Sequence, residues 1–284
     1  MLVTGGLGQL ARATSDAFAS AGWRVVAPGR SELDIVDRDA VCQAVTGLRP
    51  AVVVNTAAWT AVDACEADAD GAFAANALGP RHIAEACRMV DAHLVHISTD
   101  YVFDGALDRP YTEWDEARPA SVYGRSKLAG EREVGPEATV VRTAWLAGAS
   151  GPNLVRTMLG LAADANRPLK FVDDQRGSPT VAEDLATIVL RLASERRSGL
   201  FHVTNQGSAT WYDVARHVLA AGGYDPGRVS AIATTELRPL RPAPRPANAV
   251  LDNAVLRLVG IPLLSPWQDA VADLVRRLQR GSTI

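Results

Sequence analysis

The first half of this chain alternates short β-rich runs with amphipathic stretches of helix length, and that alternation restricts its fold more than any other feature. Leu2-Val3, Arg24 to Ala27, Ala51 to Asn55, His93 to Ser98 and Thr139 to Thr143 read as strands. Uninterrupted apolar strands separated by helices define a parallel sheet covered on both faces, because a sheet with one wet face would alternate polar and apolar side chains. The expectation is an α/β chain built on a doubly wound parallel sheet.

Beyond about residue 145 the pattern loosens. Helices are expected over Asn153 to Ala163 and Val181 to Arg196, with strands over Leu169 to Val172 and Leu200 to Thr204. Thr210 is placed to cap a helix from Trp211 to Ala221, and a last amphipathic helix runs from about Pro266 to Arg280. Arg238 to Pro246 holds four prolines and three arginines, which excludes regular helix or central strand. Residues 1–145, with part of 170–205, are therefore expected to form a nucleotide-binding domain, and residues 146–284 mainly a smaller α/β substrate lobe. The cleft between them is the natural ligand site.

Bulk properties narrow the function. A net charge of −3, with no basic cluster interleaved with aromatics, argues against a nucleic-acid partner. The apolar runs are strand-sized, well short of the roughly 20 residues of a membrane span. The N-terminus enters a strand at once and lacks the stages of a signal peptide, so a cytoplasmic location is expected. Cys42, Cys65 and Cys87 are an odd, widely spaced trio and are read as reduced thiols in or near the core. No metal site is expected.

Chemistry begins directly after the first strand, where Gly5-Gly6-Leu7-Gly8-Gln9-Leu10-Ala11 opens a helix. A backbone free of Cβ atoms at a strand-to-helix turn lets a pyrophosphate approach, and the helix N-terminus stabilises its charge. This is a Rossmann-like turn, with Ala11 where a third glycine is usual. Arg30 and Ser31 follow the second strand, where an acidic residue would meet the ribose hydroxyls of NAD; an arginine there can meet a 2′-phosphate instead. NADPH is the expected cofactor, with NADH left open.

Tyr123-Gly124-Arg125-Ser126-Lys127 sets a phenol and an ammonium four residues apart, on one face of a helix. A nearby cation should lower the phenol's pKa from about 10, so that it shuttles a proton near neutrality. Lys127 would also hold the nicotinamide ribose. The fourth strand ends in Ser98-Thr99-Asp100-Tyr101-Val102-Phe103-Asp104-Gly105, which puts the Thr99 hydroxyl at the carboxyl edge of the sheet. Thr99 would share the carbonyl oxygen that Tyr123 protonates.

Taken with Asn55 to Asp63, Arg142 to Trp145, Asp174 to Thr180, Thr210 to Asp213 and Arg245-Pro246, these motifs resemble the dTDP-4-dehydrorhamnose reductase family of extended short-chain dehydrogenases, over essentially the whole chain. The resemblance implies reduction of the C4 ketone of dTDP-6-deoxy-L-lyxo-4-hexulose to dTDP-L-rhamnose, with Thr99, Tyr123 and Lys127 as the catalytic residues. It implies cofactor contacts from Gly5, Gly8, Gln9 and Leu10 at the pyrophosphate. Arg30, Asp34 and Ile35 would lie at the adenosine end, and Ala57, Ala58, Trp59 and Thr60 along the middle. Asp100, Tyr101 and Trp145 would lie against the dTDP-linked 4-keto-6-deoxy sugar, and Arg245 against its diphosphate. Some relatives dimerise around Mg²⁺ held by glutamates, but the matching first-helix position here is Ala13 and Glu183 would stand alone, so a monomer or weak homodimer is expected. Two other readings fit the same motifs: a ketoreductase for another dTDP-4-keto-6-deoxyhexose, and a non-catalytic nucleotide-binding regulatory subunit.

Overall fold

The computed structural model describes residues 1–281, so the final three residues of the expected 146–284 lobe lie outside the described residues. β1 (Leu2–Thr4) turns into α1 (Gln9–Ser20), and α2 (Arg38–Leu48) leads to β2 (Val52–Asn55). Helices α3 (Val62–Ala67), α4 (Ala69–Phe73) and α5 (Gly79–Val90) carry the chain to β3 (His93–Thr99). Next come α6 (Val122–Glu133) and β4 (Thr139–Thr143). Four strands and two helices succeed them: β5 (Leu146–Ala147), α7 (Leu154–Ala162), β6 (Leu169–Val172), β7 (Arg176–Gly177), β8 (Thr180–Val181) and α8 (Ala182–Ser194). The chain closes with β9 (Gly199–His202), β10 (Ala209–Thr210), α9 (Trp211–Ala221), β11 (Val229–Ile232), α10 (Ala254–Leu258) and α11 (Trp267–Gly281).

The main sheet has the order β1-β2-β3-β4-β9 and is parallel throughout. Both of its faces are covered, which is why its strands bury apolar side chains on either side. Leu2, Val53, Leu94 and Val140 pack on the side of α2 and α5. Val3, Val54, Val95 and Val141 pack on the side of α1 and α8. The doubly wound α/β fold read from the alternation is therefore present. Its last layer comes from α8 and β9, within the late segment assigned to this domain from the sequence.

The expected strand over Arg24 to Ala27 shrinks to one bridge, Val26 against Leu2. Two ladder bonds form, from Val3 N to Val26 O at 2.8 Å and from Val26 N to Met1 O at 3.0 Å. Pro28, which has no N–H, then interrupts the ladder, and only its carbonyl still accepts, from Gly6 N at 2.9 Å. Val26 lies on one side of β1 and β2 on the other, so the chain reverses direction at β1. The crevice outside the carboxyl ends of β1 and β2 is thus a topological switch point, where doubly wound folds take ligands.

A separate core joins α7, α9 and α11 to β6 and β11, with Met158, Leu169, Val218, Leu219, Leu274 and Val275 inside it. Thr210 caps α9 reciprocally: Asp213 N donates to Thr210 Oγ1 at 3.1 Å, and Thr210 N donates to Asp213 Oδ2 at 2.9 Å. Arg238 to Pro246 carries neither helix nor strand. The three cysteines are free, with Cys65 and Cys87 buried and Cys42 half-buried.

Candidate active site

A cleft of about 1140 Å³ opens at the switch point and runs toward the second core. At one end lies the glycine turn. Gly5 has φ +72°, and a Cβ on it would stand 3.0 Å from Ala57 Cα. On Gly6 a Cβ would stand 2.0 Å from the Ala27 carbonyl oxygen, so no side chain fits there without moving the backbone. α1 starts behind Gly8 with no side-chain cap and no acidic residue in its first turn. Its leading amides are therefore available to an anion, and the helix dipole favours one. Gly5, Gly8, Gln9 and Leu10 all line this end. The Gln9 side chain has a second task, since Gly148 N donates to its Oε1 at 2.9 Å and its Nε2 donates to Pro152 O at 3.0 Å. It ties α1 to the loop before α7.

Arg30, Asp34 and Ile35 line the cleft beyond the turn. Arg30 is largely exposed and pairs with Asp34 at 3.2 Å. Ala57, Ala58, Trp59 and Thr60 line the next stretch, after β2. Their loop is fixed by Asn76, which sequence reasoning missed. Trp59 N donates to Asn76 Oδ1 at 2.8 Å, and Asn76 Nδ2 donates to Trp59 O and to Ser126 Oγ, each at 3.0 Å. Asn76 sits in a widened helical turn, Ala74–Leu78, of the kind found at functional sites. A Cβ on Gly130 would stand 2.1 Å from Asn76 O, so α6 can pack this closely only with glycine there. One asparagine within an apolar helical run was the available signal.

At the far end of β3, Thr99, Asp100 and Tyr101 enter the cleft opposite Tyr123 and Lys127 of α6. Ser121 caps α6 by accepting from Gly124 N at 3.0 Å, and Glu66 accepts from Val122 N at 2.7 Å. Thr99 and the Tyr123 phenol line the same end of the cleft. Lys127 Nζ donates to Ile97 O at 2.6 Å, and burial lowers its pKa to about 8. The expected lowering of the phenol's pKa is not found. Burial pushes Tyr123 up, nearby Asp100 and Tyr101 add to that, and the Thr99 hydroxyl offsets it only in part. Desolvation dominates because a buried phenolate loses its hydration, and the Lys127 ammonium is turned to the Ile97 carbonyl. Asp100 is also buried, and desolvation raises its carboxyl to about 7.

Beneath this end lies an ion pair that the sequence reading passed over. Arg142 of β4 forks onto Glu131 of α6 at 2.8 and 2.7 Å, and Ser98 of β3 donates to the same carboxylate at 2.5 Å. The side chains of Arg142 and Glu131 are only 5% and 8% exposed. The pair locks α6 to β3 and β4, and so sets Tyr123 and Lys127 against Thr99.

The remaining wall is aromatic. Trp145 lines the cleft with φ +45°, a left-handed conformation that costs a non-glycine residue about 1–3 kcal/mol. It is held by stacking on Trp211, whose ring centroid lies 3.6 Å away at 7°, and by Gly177, where a Cβ would stand 2.3 Å from the Trp145 ring. Trp211 also lines the cleft and was not singled out from sequence. Arg245 does not line it. Its guanidinium forks onto Asp63 at 2.7 and 2.8 Å, and Arg241 reaches the same carboxylate at 3.3 Å. Ala13 is buried in α1, and Glu183 faces Arg277 at 3.5 Å. No group of three or more His, Cys, Asp or Glu side chains among the described residues could hold a metal ion.

The doubly wound sheet, the uncapped glycine turn and the Tyr-Lys pair opposite Thr99 together define an extended short-chain dehydrogenase/reductase. Comparison with known proteins narrows that class. The family described as RmlD substrate binding domain matches residues 1–280. A dTDP-4-dehydrorhamnose reductase of Streptomyces griseus is 46% identical over 96% of this chain and 91% of its own length. A probable dTDP-4,6-dihydroxy-2-methyloxan-3-one 4-ketoreductase of Streptomyces antibioticus is 43% identical over 96% of this chain and 93% of its own. The crystal structure of a dTDP-4-dehydrorhamnose reductase from Bacillus anthracis in complex with NADP superposes with a TM-score of 0.92 at 33% identity, covering 96% of this chain and 97% of that one. The chain belongs to the dTDP-4-dehydrorhamnose reductase family.

Proposed function

We propose that this chain reduces the C4 ketone of dTDP-6-deoxy-L-lyxo-4-hexulose to dTDP-L-rhamnose with NADPH. The observation that carries the reading is the meeting of Thr99, Tyr123 and Lys127 at one end of a cleft whose other end is an uncapped helix N-terminus. The bound cofactor supplies the hydride. Gly5, Gly8, Gln9 and Leu10 hold its pyrophosphate, Arg30 its 2′-phosphate, and Asp34 with Ile35 its adenine. Ala57, Ala58, Trp59 and Thr60 follow its middle, while Lys127 orients the ribose beside Tyr123. Tyr123 gives its proton to the carbonyl oxygen, and Thr99 shares a hydrogen bond with that oxygen. A high phenol pKa suits a donor that must keep its proton until the alkoxide develops.

Asp100 and Tyr101 flank the sugar, and Trp145 offers an aromatic face to its apolar methyl edge. Arg245 reaches the diphosphate by exchanging Asp63 for phosphate oxygens. Residues 1–145 with part of 170–205 act as the nucleotide-binding domain, and 146–284 mainly as the sugar lobe. The chain works in the cytoplasm as a monomer or weak homodimer, without nucleic acid; no described helix is long and apolar enough to cross a membrane.

The 43% identical ketoreductase supports a second reading with the same chemistry on another dTDP-4-keto-6-deoxyhexose. The deciding experiment is NADPH oxidation with enzymatically made dTDP-6-deoxy-L-lyxo-4-hexulose, with NMR of the product. Rapid oxidation to dTDP-L-rhamnose supports the first reading. Oxidation only with a different keto sugar favours the second, and cofactor binding without any turnover favours a regulatory subunit.

A further inference from the structure

The loop from Gly148 to Pro152 leaves β5 and enters α7, so it carries the chain from Trp145 into the second core. Its first two peptide groups are held from opposite sides. Their N–H groups point back to the nucleotide-binding half: Gly148 N donates to Gln9 Oε1 of α1 at 2.9 Å, and Ala149 N donates to Glu183 Oε1 of α8 at 2.8 Å. Their carbonyls are taken from the other side, where Asn153 Nδ2 donates to Gly148 O and Arg156 Nη2 to Ala149 O, each at 2.8 Å. Two side chains from each lobe thus satisfy two consecutive peptide units, and releasing either side would orphan backbone groups.

Of these four side chains, Gln9 is the one that also lines the cleft. It is the first residue of α1, behind the uncapped Gly8, and the amides of Gln9 and Leu10 have no acceptor within the helix. The backbone of Gln9 is therefore free to meet an anion, whereas its side chain is not. Both ends of the side-chain amide are engaged by the loop, Oε1 by Gly148 N and Nε2 by Pro152 O at 3.0 Å. Gly151, with φ +74°, lets the loop close on it, since a Cβ there would stand 3.3 Å from Gln9 Cγ. The path onward to Trp145 is short. Gly148 adjoins β5, β5 pairs with β8 through Leu146 and Ala147, and Trp145 O accepts from Thr180 N at 3.3 Å at the head of that pairing.

We propose that Gln9 is a positioning residue that couples the two ends of the cleft. A pyrophosphate on its backbone fixes the first turn of α1, and the side-chain amide of that turn fixes the segment that carries Trp145. The inference rests on the ketoreductase reading above, in which α1 takes the cofactor and Trp145 faces the sugar. A bound cofactor then lowers the ordering cost of the sugar site, and by linkage a bound sugar nucleotide does the same for the cofactor. The tie acts when both ligands are present, so each one alone binds much the same with or without it.

The test uses NADPH and dTDP-L-rhamnose, a fully reduced pair that binds without turning over, titrated by calorimetry. In the unsubstituted protein, saturating NADPH should tighten dTDP-L-rhamnose about fivefold or more, and saturating dTDP-L-rhamnose should tighten NADPH by the same factor. In Gln9→Ala the factor should fall below about twofold, with each ligand alone bound within about threefold of the original. Gln9→Met fills the same space without either hydrogen bond, which keeps the packing of α1 on the loop, and should lose the coupling equally. A coupling factor that survives in Gln9→Met, or that is absent from the unsubstituted protein, would overturn the tie. So would a loss of NADPH affinity in the absence of sugar nucleotide with the factor intact, which would make the side chain a cofactor contact. Gln9-dependent coupling in a protein that reduces no keto sugar would refute the ketoreductase reading and leave the tie standing. Production of dTDP-L-rhamnose with no such coupling would do the reverse.

Discussion

The two ends of the cleft are made of different material. The end at α1 is built from backbone and small side chains, Gly5, Gly8, Ala57 and Ala58, with charge supplied by a helix N-terminus. The end toward the second core is built from large side chains, Tyr101, Tyr123, Trp145 and Trp211, that arrive from four separate stretches of the chain. Backbone recognises what every dinucleotide shares, its pyrophosphate, and needs little from its neighbours beyond the absence of Cβ atoms. Side chains can tell one ligand from another, but each must be held by something else: Trp145 by Trp211, and Tyr123 by Asn76 through Ser126 and by Glu131 through α6.

If this division holds, substitutions at one end should leave the other unaffected. The largest effect is expected from Tyr123→Phe, which removes the proton donor and should cut turnover about 10²–10⁴-fold. NADPH titration of the same variant should give an affinity within a few-fold of the original, and a collapse of that affinity would break the division. Glu131→Ala tests the support beneath the side-chain end, because the Arg142 pair sets α6 against β3 and β4. Leaving Arg142 buried and unpaired is expected to cost about 3–5 kcal/mol in urea unfolding, and loss of under 1 kcal/mol would remove the pair from the account.

Trp211→Ala sharpens the comparison from the sugar side. Losing the stacked partner is worth about 1–1.5 kcal/mol, so the sugar's KM should rise roughly tenfold in steady-state assays while NADPH binding stays put. Smallest of all is Arg30→Ala at the far side of the cofactor end. A largely exposed guanidinium contributes about 0.2–1 kcal/mol, so NADPH should bind about two- to fivefold more weakly by fluorescence titration, with NADH unaffected. Equal weakening of both would show that Arg30 does not meet the 2′-phosphate.

The same contrast explains what could be read before any coordinates. The sheet, its buried strands and the glycine turn follow from short-range patterns, since short apolar runs between helix-length stretches and a cluster of glycines are each visible within a dozen residues. Tyr123 and Lys127 were legible because four residues on a helix are close by geometry alone. Trp211 was not, because its stack with Trp145 joins positions 66 apart and no local pattern encodes that meeting. Glu131 and Arg142 left a weaker trace, an arginine beside the valines of a buried strand, which calls for a buried partner without saying which one. The direction of the Tyr123 shift was misjudged for a related reason. Spacing reports the nearby cation but not the depth of burial, and burial prevailed.

The separate core under the second lobe has a practical consequence. α9 begins at Trp211, is closed by its own Thr210-Asp213 cap, and packs on Met158, Leu274 and Val275 rather than on the main sheet. It can therefore be treated as an exchangeable cassette. Libraries that vary its first turn and the facing β7–β10 ribbon would retune which sugar is accepted, while the machinery on β3 and α6 is inherited unaltered.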